Sequence, residues 1–246
     1  MAGRRPVLEA VRAGAAREVL VSEEARSTPG LREAIEAAGA RDVPVRRVPA
    51  DDIEARAEDV DHQGVMARVV PLPELSESDL LSRRWPEDAL VVVLDGVTDP
   101  RNLGAIARTA EAAGTSALVV RRRRGAGLTA AAMKASAGAL LHLPVAAVVN
   151  VARTVGLLRD SGFWVVGLDE RGPATVHGSK PPPGRRAIVL GDEGRGLSRL
   201  AREECDELIR IPMRGRVSSL NVSVAAGVVL FAYARPGEES REAGGG

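Results

Sequence analysis

The chain has 246 residues, a formal net charge of +1 and one cysteine, Cys205. Hydrophobic residues make up 45% and charged residues 27%, as in ordinary globular proteins, whereas aromatic residues make up only 2%. A single cysteine excludes an internal disulfide and a cysteine metal cluster, and the scarcity of aromatic rings disfavours a base-stacking platform. Because there is no signal peptide and no apolar run of membrane length, we expect a cytoplasmic protein with no membrane partner.

Residues 1–70 alternate between helix and strand patterns, which predicts a small α/β domain. The helical patterns cover Pro6–Ala13 and Gly30–Ala38, and the strand patterns cover Glu18–Val21, Val45–Val48 and Val65–Val70. Residues 71–88 are polar and interrupted by prolines, which predicts a linker with one short helix. The charged, glycine-rich residues 235–246 predict a disordered tail.

Residues 89–234 contain a longer alternation, which predicts a second α/β domain built on a parallel sheet with helices on both faces. Continuous apolar runs, typical of strands buried on both faces, occur at Leu90–Leu94, Ala117–Val120, Val145–Val149, Trp164–Leu168 and Ala187–Leu190. Helical patterns separate most of them, at Leu103–Ala113, Ala130–Ala137 and Val151–Arg159. Ligands of such sheets bind outside the carboxyl ends of the strands.

The first stretch that could carry chemistry is Leu94–Gly114, which runs from a strand into a helix. Asp99 is a candidate N-cap, and Asn102 and Arg108 would place an amide and a guanidinium near the end of a strand. A surface ion pair with Glu111 is the alternative for Arg108. The residues predicted to face the core are Leu103, Ile106 and Ala110.

The second stretch, Val189–Ser198, runs from a strand into a loop with three glycines around Asp192 and Glu193. It is neither a Walker phosphate loop nor a dinucleotide-binding fingerprint, because both the glycine spacing and the following residues differ. Glycines allow the backbone to approach a ligand closely, and the carboxylates suit a cationic or donor-rich ligand. A tight turn without a ligand is the alternative.

The third stretch, Ile211–Tyr233, predicts a loop followed by a helix. Three polar side chains, those of Ser218, Ser219 and Asn221, crowd the start of that helix. The free N–H groups of a helix start favour an anionic ligand, although an over-capped core helix explains the same pattern. The residues predicted to form the buried face, at steps of three and four, are Leu220, Val224, Ala225, Val228 and Phe231.

Together, the three stretches resemble the motifs of the SpoU (TrmH-like) family of RNA ribose 2′-O-methyltransferases in the SPOUT superfamily. They read DPRNLGAIARTAEAAG, LGDEGRGLS and IPMRGRVSSLNVSVAAG, and the resemblance extends over Ala89–Ala234. The segments GRRPVLEAV and DHQGVMARV resemble the two ends of the L30e-like substrate-binding domain of bacterial enzymes that methylate a guanosine of 23S rRNA.

The resemblance implies an α/β SPOUT fold with a C-terminal trefoil knot, a homodimer, an RNA substrate and the cofactor S-adenosylmethionine. The residues that it assigns to the cofactor are Leu190, Gly191, Gly196, Ile211, Met213, Leu220 and Asn221. The catalytic residues that it implies are Asn102, Arg108, Glu193, Ser219 and Asn221. Arg108 is often described as the base of this family, but arginine stays protonated in proteins, so binding a phosphate and stabilising a developing alkoxide is physically easier.

Two regions are predicted to contact the RNA backbone. They are Arg101, which the resemblance places by the first motif, and the arginine run Arg121, Arg122, Arg123 and Arg124, for which a solvated loop is the alternative. We expect no metal, because the three histidines have no metal-ligand spacing. The catalytic motifs do not read the target base, so another rRNA nucleotide, as in antibiotic resistance, or a tRNA stays open. A non-catalytic RNA-binding protein is the remaining alternative, disfavoured by the intact motifs.

Overall fold

The computed structural model describes residues 1–57, 61–70, 74–122, 125–179 and 182–234. The chain divides into two compact units. The first unit contains Met1–Glu74, Asp99–Arg108 and Ala126–Pro144, and the second contains Leu75–Thr98, Thr109–Gly125 and the chain from Val145 onward. The predicted tail, residues 235–246, lies outside the described residues.

Most of the first unit comes from the start of the chain, which alternates helices and strands as predicted. Its helices are α1 (Arg4–Arg12), α2 (Pro29–Gly39) and α3 (Ala50–Ala57), and its strands are β1 (Ala16–Ser22), β2 (Val45–Val48) and β3 (Val65–Val69). Among the described residues they form a three-stranded sheet in the order β2-β1-β3, with β2 parallel and β3 antiparallel to β1.

The two faces of this small sheet are covered unequally. Val19, Val21 and Val65 point from one face into a core that α1 and α2 complete. On the other face, Leu20 packs in a smaller cluster with Ile53 of α3. The sequence pattern did not predict α3, because its segment ADDIEARA carries too few apolar residues to show a helical period.

Two further helical segments belong to the first unit. Helix α5 (Pro100–Ala112) contributes its residues up to Arg108, and α6 (Ala130–Ala135) follows later in the chain. The two helices pack closely, because a Cβ atom on Gly104 would overlap the Ala132 carbonyl oxygen and lie 2.6 Å from the Cβ of Ala135. As predicted, Asp99 caps the start of α5, where its carboxylate accepts a hydrogen bond of 2.8 Å from the Arg101 N–H.

The second unit is built on an eight-stranded sheet, counted among the described residues. The strands are β4 (Glu74–Leu75), β5 (Leu90–Asp95), β6 (Ala117–Arg121), β7 (Val145–Val148), β8 (Trp164–Leu168), β9 (Ala174–Thr175), β10 (Arg186–Gly191) and β11 (Glu207–Arg210). Their order in the sheet is β4-β7-β6-β5-β10-β8-β11-β9, and the central strands pair in parallel, which confirms the predicted sheet type.

Helices of the second unit include α4 (Glu77–Ser82), α7 (Val151–Asp160), α8 (Arg199–Glu203) and α9 (Val222–Tyr233). The first unit also contains a 3₁₀ turn at Ala139–Leu141. Every residue of β5 and β7 is buried, so their continuous apolar runs correctly identified strands covered on both faces. Leu80 and Trp85, from the predicted linker, are also buried in this core.

The buried face predicted for the last helix is partly wrong. Of the residues assigned to it, Val224 is 52% exposed and Phe231 is 60% exposed. The residues that α9 buries are Val222, Ala225, Ala226, Val229, Leu230 and Tyr233. The helix is apolar around its whole circumference, so three- and four-residue spacing could not identify the face that packs inward.

Candidate active site

An open cavity of about 210 Å³ lies at the carboxyl ends of β8, β10 and β11 in the second unit. It is at the position expected for a ligand of a parallel sheet. Three segments form most of its wall, namely the turn after β8, the glycine loop after β10 and the loop between β11 and α9. The residues at its wall from these segments include Leu168, Asp169, Glu170, Arg171, Leu190, Gly191, Glu193, Gly196, Ile211, Met213, Ser219 and Leu220.

The glycine loop folds back on its own start. The backbone N–H of Asp192 donates to the Gly196 carbonyl at 3.1 Å, and the Gly196 N–H donates to the Asp192 carbonyl at 2.9 Å. A Cβ atom on Gly191 would overlap the carbonyl carbon of Gly196 and the nitrogen of Leu197. Glycine at position 191 is therefore required for this loop geometry, which leaves the loop backbone on the cavity wall.

The start of α9 forms another part of the wall. The N-cap of this helix is Asn221, whose side chain accepts a hydrogen bond of 2.9 Å from the Ser223 N–H. The Glu193 carboxylate from the glycine loop accepts hydrogen bonds from the Asn221 side chain and, at 3.3 Å, from the Val222 N–H. An anion does lie at the start of this helix, as its free N–H groups favour, and it is the chain's own carboxylate.

The residues predicted for the cofactor come together in this cavity. All of them except Asn221 line its wall, and Asn221 contacts the wall through its bond to Glu193. Ser219, predicted to be catalytic, is also part of the wall. The structure therefore brings the second and third sequence motifs to one place, although their binding role stays a prediction.

Sequence reasoning missed three charged residues that support the cavity. Asp169 and Arg202 line it and form an ion pair of 2.8 Å, in which the Asp169 side chain is only 3% exposed. Asp95, at the end of β5, is 8% exposed and accepts a hydrogen bond of 2.7 Å from the Ser198 N–H. A signal was present, because each aspartate stands at the carboxyl end of a fully apolar strand, where ligand sites of parallel sheets lie.

The chemistry of the wall fits S-adenosylmethionine. Leu190, Ile211 and Leu220 form an apolar part of the wall that could hold an adenine ring, and the backbone of the glycine loop lies on the same wall. The acidic side chains at the wall are Asp169, Glu170, Asp192 and Glu193, and the basic ones are Arg171, Arg195 and Arg202. These four carboxylates against three guanidinium groups leave one excess negative charge, which suits a cofactor whose sulfonium and ammonium groups outnumber its single carboxylate.

The first-motif residues lie on α5 in the first unit. The side chains of Arg101 and Arg108 are exposed there, and Asn102 is half-buried. Of the arginine run, Arg121 and Arg122 are exposed in the second unit, and the Arg122 guanidinium donates to the Ala147 carbonyl at 3.3 Å. Arg123 and Arg124 lie outside the described residues.

Two family descriptions match this chain. The SpoU rRNA Methylase family matches residues 89–231, and the RNA 2′-O ribose methyltransferase substrate-binding family matches residues 2–75. Among individual proteins, the chain is 47% identical to the 23S rRNA (guanosine-2′-O-)-methyltransferase RlmB of Photobacterium profundum, over 74% of this chain and 75% of that protein. It is 42% identical to an uncharacterised tRNA/rRNA methyltransferase of Mycolicibacterium vanbaalenii, over 95% of this chain and 75% of that protein.

Solved structures agree with these matches. The SpoU methyltransferase AviRb of Streptomyces viridochromogenes, in complex with the cofactor AdoMet, superimposes with a TM-score of 0.75 at 28% identity, covering 99% of this chain and 90% of that chain. An AdoMet-bound rRNA methyltransferase of Sinorhizobium meliloti superimposes with a TM-score of 0.76 at 25% identity, covering 95% and 85%. The chain therefore belongs to the SpoU family of S-adenosylmethionine-dependent RNA ribose 2′-O-methyltransferases.

Proposed function

We propose that this chain transfers the methyl group of S-adenosylmethionine to the ribose 2′-OH of a guanosine in 23S rRNA, in the bacterial cytoplasm. The observation that carries the proposal is the meeting of the glycine loop with the start of α9 around one cavity, through Glu193, Asn221 and Val222. The guanosine target is supported by the RlmB relatives, which share about half of their aligned residues with this chain.

Bound S-adenosylmethionine would supply an electrophilic methyl group, which passes from sulfur to the 2′-oxygen as the S–CH₃ bond breaks and leaves a neutral thioether. The chain's own task is to align the hydroxyl with this methyl group and to remove the hydroxyl proton. On the cofactor side, Leu190, Ile211 and Leu220 would hold the adenine, and the backbone at Gly191 would contact the nucleoside.

Arg108 and Asn102 would act on the RNA side of the reaction. A guanidinium binds a phosphate through two parallel N–H groups, so Arg108 would fix the ribose by its neighbouring phosphate and stabilise negative charge that develops on the 2′-oxygen. The Asn102 amide offers both a donor and an acceptor for the ribose hydroxyl groups.

Glu193, Ser219 and Asn221, all of the second unit, would act on the cofactor side, beside the transferred methyl group. The Glu193 carboxylate is held by the Asn221 side chain and the Val222 N–H, so its charge is fixed at the cavity wall. A fixed carboxylate near a sulfonium lowers the energy of the charged cofactor. It would also give the proton of the 2′-OH an acceptor, which arginine cannot provide.

RNA recognition would be the role of a domain formed by residues 1–70. A linker, residues 71–88, would join it to the methyltransferase domain, residues 89–234. We propose an L30e-like fold for the first of these, which its match to a substrate-binding family supports. Arg101 and the run Arg121–Arg124 would add phosphate contacts, since arginine binds phosphate in a bidentate manner.

We further propose the trefoil knot and the homodimer that are typical of the family. The strand order, in which β10 lies between β5 and β8, and the packing of α9 against β10 support the knot. The exposed apolar side chains of Val224 and Phe231 on α9, together with Val217 in the loop before it, support the dimer, because an exposed apolar surface favours a partner.

The test is transfer of labelled methyl from S-adenosylmethionine to 23S rRNA that lacks its native modifications, followed by mapping of the methylated nucleotide. The proposal predicts one 2′-O-methylguanosine. Methylation of another ribose, or of tRNA alone, would keep the chemistry and overturn the substrate. Cofactor binding without transfer to any of these RNAs would leave only the fold and the cofactor site of this proposal.

A further inference from the structure

Two buried carboxylates flank the strand that leads into the glycine loop. Strand β10 lies between β5 and β8, and Asp95 and Asp169 stand at the carboxyl ends of those two neighbours. As whole residues, Asp95 and Asp169 are 8% and 5% exposed, whereas carboxylates are rarely buried unless they are paired. Neither belongs to the residues that the family motifs assign to catalysis or cofactor binding.

On the first side, Asp95 holds the end of the loop by one hydrogen bond. Its Oδ2 atom accepts from the Ser198 N–H at 2.7 Å. Ser198 is also the N-cap of α8, since its hydroxyl accepts from the Ala201 N–H at 3.3 Å. The bond therefore fixes both the end of the glycine loop and the beginning of the helix that follows it.

On the second side, Asp169 acts through Arg202. The Nε and Nη2 atoms of Arg202 both lie 2.8 Å from the Asp169 Oδ2 atom, and Nη2 also donates to the Leu197 carbonyl at 3.3 Å. The other carboxylate oxygen of Asp169 accepts from the Arg171 N–H at 2.9 Å. Arg202 thus joins the turn after β8 to the end of the loop after β10, and both segments line the cavity.

The hydrogen bonds that Asp95 and Arg202 make to the loop end on Ser198 and Leu197, at the segment that closes against Gly191. Gly196 and Leu197 are the residues that a Cβ atom on Gly191 would overlap, so a small shift of this segment would change the backbone that forms the cavity wall. We infer that Asp95, Asp169 and Arg202 are positioning residues that hold the glycine loop in the form that binds S-adenosylmethionine. This inference rests on the proposed cofactor site.

Isothermal titration calorimetry with S-adenosylhomocysteine, on the full chain, tests the inference without relying on turnover. Arg202→Ala and Asp95→Ala should each raise the Kd by roughly tenfold, because each leaves a buried backbone or carboxylate group without its partner. Asp95→Asn keeps an acceptor for the Ser198 N–H, so its Kd should rise by less than about threefold. Arg202→Lys keeps the charge and loses the fork, and should fall between wild type and Arg202→Ala.

Arg159→Ala is the matched control. The Arg159 guanidinium also bonds a carboxylate, that of Glu204 at 2.8 Å, and a backbone carbonyl, that of Glu204 at 3.3 Å, but at the far end of α8 and away from the cavity. Because the Glu204 side chain is 36% exposed, Arg159→Ala should lower Tm by less than Arg202→Ala does, and it should leave the Kd within about twofold of wild type.

A second readout separates positioning from general stability. Hydrogen exchange at the Gly196 and Ser198 amides should become faster in Arg202→Ala and Asp95→Ala, whereas exchange in the central strands stays as in wild type. In methyl transfer, Arg202→Ala should raise KM for S-adenosylmethionine and leave KM for RNA unchanged.

The inference is overturned if Arg202→Ala and Asp95→Ala bind S-adenosylhomocysteine as tightly as wild type, or lose affinity only as much as Arg159→Ala does. If an alanine variant does not fold, Asp95→Asn and Arg202→Lys decide by the same comparison. Unchanged binding in the variants leaves the proposed function intact. A wild-type chain that binds no S-adenosylhomocysteine refutes the proposed function, and the inference falls with it.

Discussion

The two sheets of this chain differ in which of their residues reach solvent. In the eight-stranded sheet, every residue of β5 and β7 and all but the first residue of β10 are buried, so solvent reaches these strands mainly at their ends. In the three-stranded sheet, one face packs on α1 and α2, whereas Leu20 on the other face packs with Ile53 of α3 in a smaller cluster. Charged side chains of the small sheet reach solvent, as those of Arg46 and Arg68 do.

The charges on the small sheet suit a polyanion. Arg46 and Arg68 are 68% and 75% exposed, and both pair with Glu18, at 3.3 Å and 3.4 Å. Glu18 is only 15% exposed, so it holds two guanidinium groups outward and leaves an excess positive charge on the surface. The large sheet thus offers a small-molecule cavity at its strand ends, and the small sheet offers two exposed guanidinium groups, from which we expect a contact with the RNA backbone.

The largest effect should come from Arg108. Arg108→Ala should lower kcat by about 10²- to 10³-fold, the loss typical when one donor to a developing oxyanion is removed. The measurement is single-turnover methyl transfer to unmodified 23S rRNA. Glu111→Ala, an exposed change on the same helix, serves as the control and should retain activity.

Arg108→Lys refines this prediction. Lysine keeps the positive charge and loses the bidentate geometry, so turnover should stay far below wild type at every pH. If Arg108→Lys turns over at nearly the wild-type rate across the pH range, Arg108 does not act as a phosphate fork.

The next largest effect should come from the glycine loop. Gly191→Ala should weaken S-adenosylhomocysteine binding by about tenfold or more, because the added methyl group overlaps Gly196 and Leu197 and forces the loop to shift. In Gly194→Ala the new Cβ atom would have its nearest neighbour at 3.9 Å, so binding should stay near wild type. Calorimetry on this pair of variants measures both, and equal affinities would contradict the close-packed loop.

A smaller effect is expected for the basic surfaces. Replacing Arg46 and Arg68 with glutamine should reduce the salt dependence of RNA binding by roughly 0.7–0.9 log units for each phosphate that the protein no longer neutralises. Replacing Arg121–Arg124 should act in the same way. Arg12→Gln is the control for the first pair, since Arg12 also bonds a carboxylate, Glu33 at 2.7 Å, but lies on α1. An unchanged salt slope for either set would remove that surface from the RNA interface.

The smallest effect concerns Cys205. Burial, reinforced by the nearby carboxylates of Asp206, Asp95 and Glu204, raises the pKa of the Cys205 thiol from 9.0 to about 12. The folded chain should therefore react slowly with iodoacetamide at pH 8 and rapidly once it is unfolded in guanidinium chloride. Because the folded pKa is raised, this contribution to stability is complete below about pH 9 and is lost as the pH rises towards 12. Rapid labelling of the folded chain would contradict this burial.

Sequence patterns predicted the large sheet well because its strands are buried on both faces. Such strands appear as continuous apolar runs, and Trp164–Leu168 was predicted to the residue. Helix α3 was missed because it buries little besides Ile53 and Ala57. The inward face of α9 was predicted wrongly in part. Because this helix is apolar on all sides, the spacing of its apolar residues does not distinguish the face that packs inward.

The site could be predicted only as far as its motifs. The glycine loop and the start of α9 are local features with turn and capping residues, so the sequence located both. The bonds that Asp95, Asp169 and Arg202 make to the loop join residues that are as much as 103 positions apart, as Asp95 and Ser198 are. No local pattern reports such a pairing, and only the order of strands β5, β10 and β8 brings these residues together.

The most direct test of the central claim is a crystal structure of this chain with S-adenosylhomocysteine bound. We expect ligand density at the carboxyl ends of β8, β10 and β11, with the nucleoside against the backbone of Gly191 and between Ile211 and Leu220. Density at any other place, with this cavity filled by solvent alone, would contradict the claim.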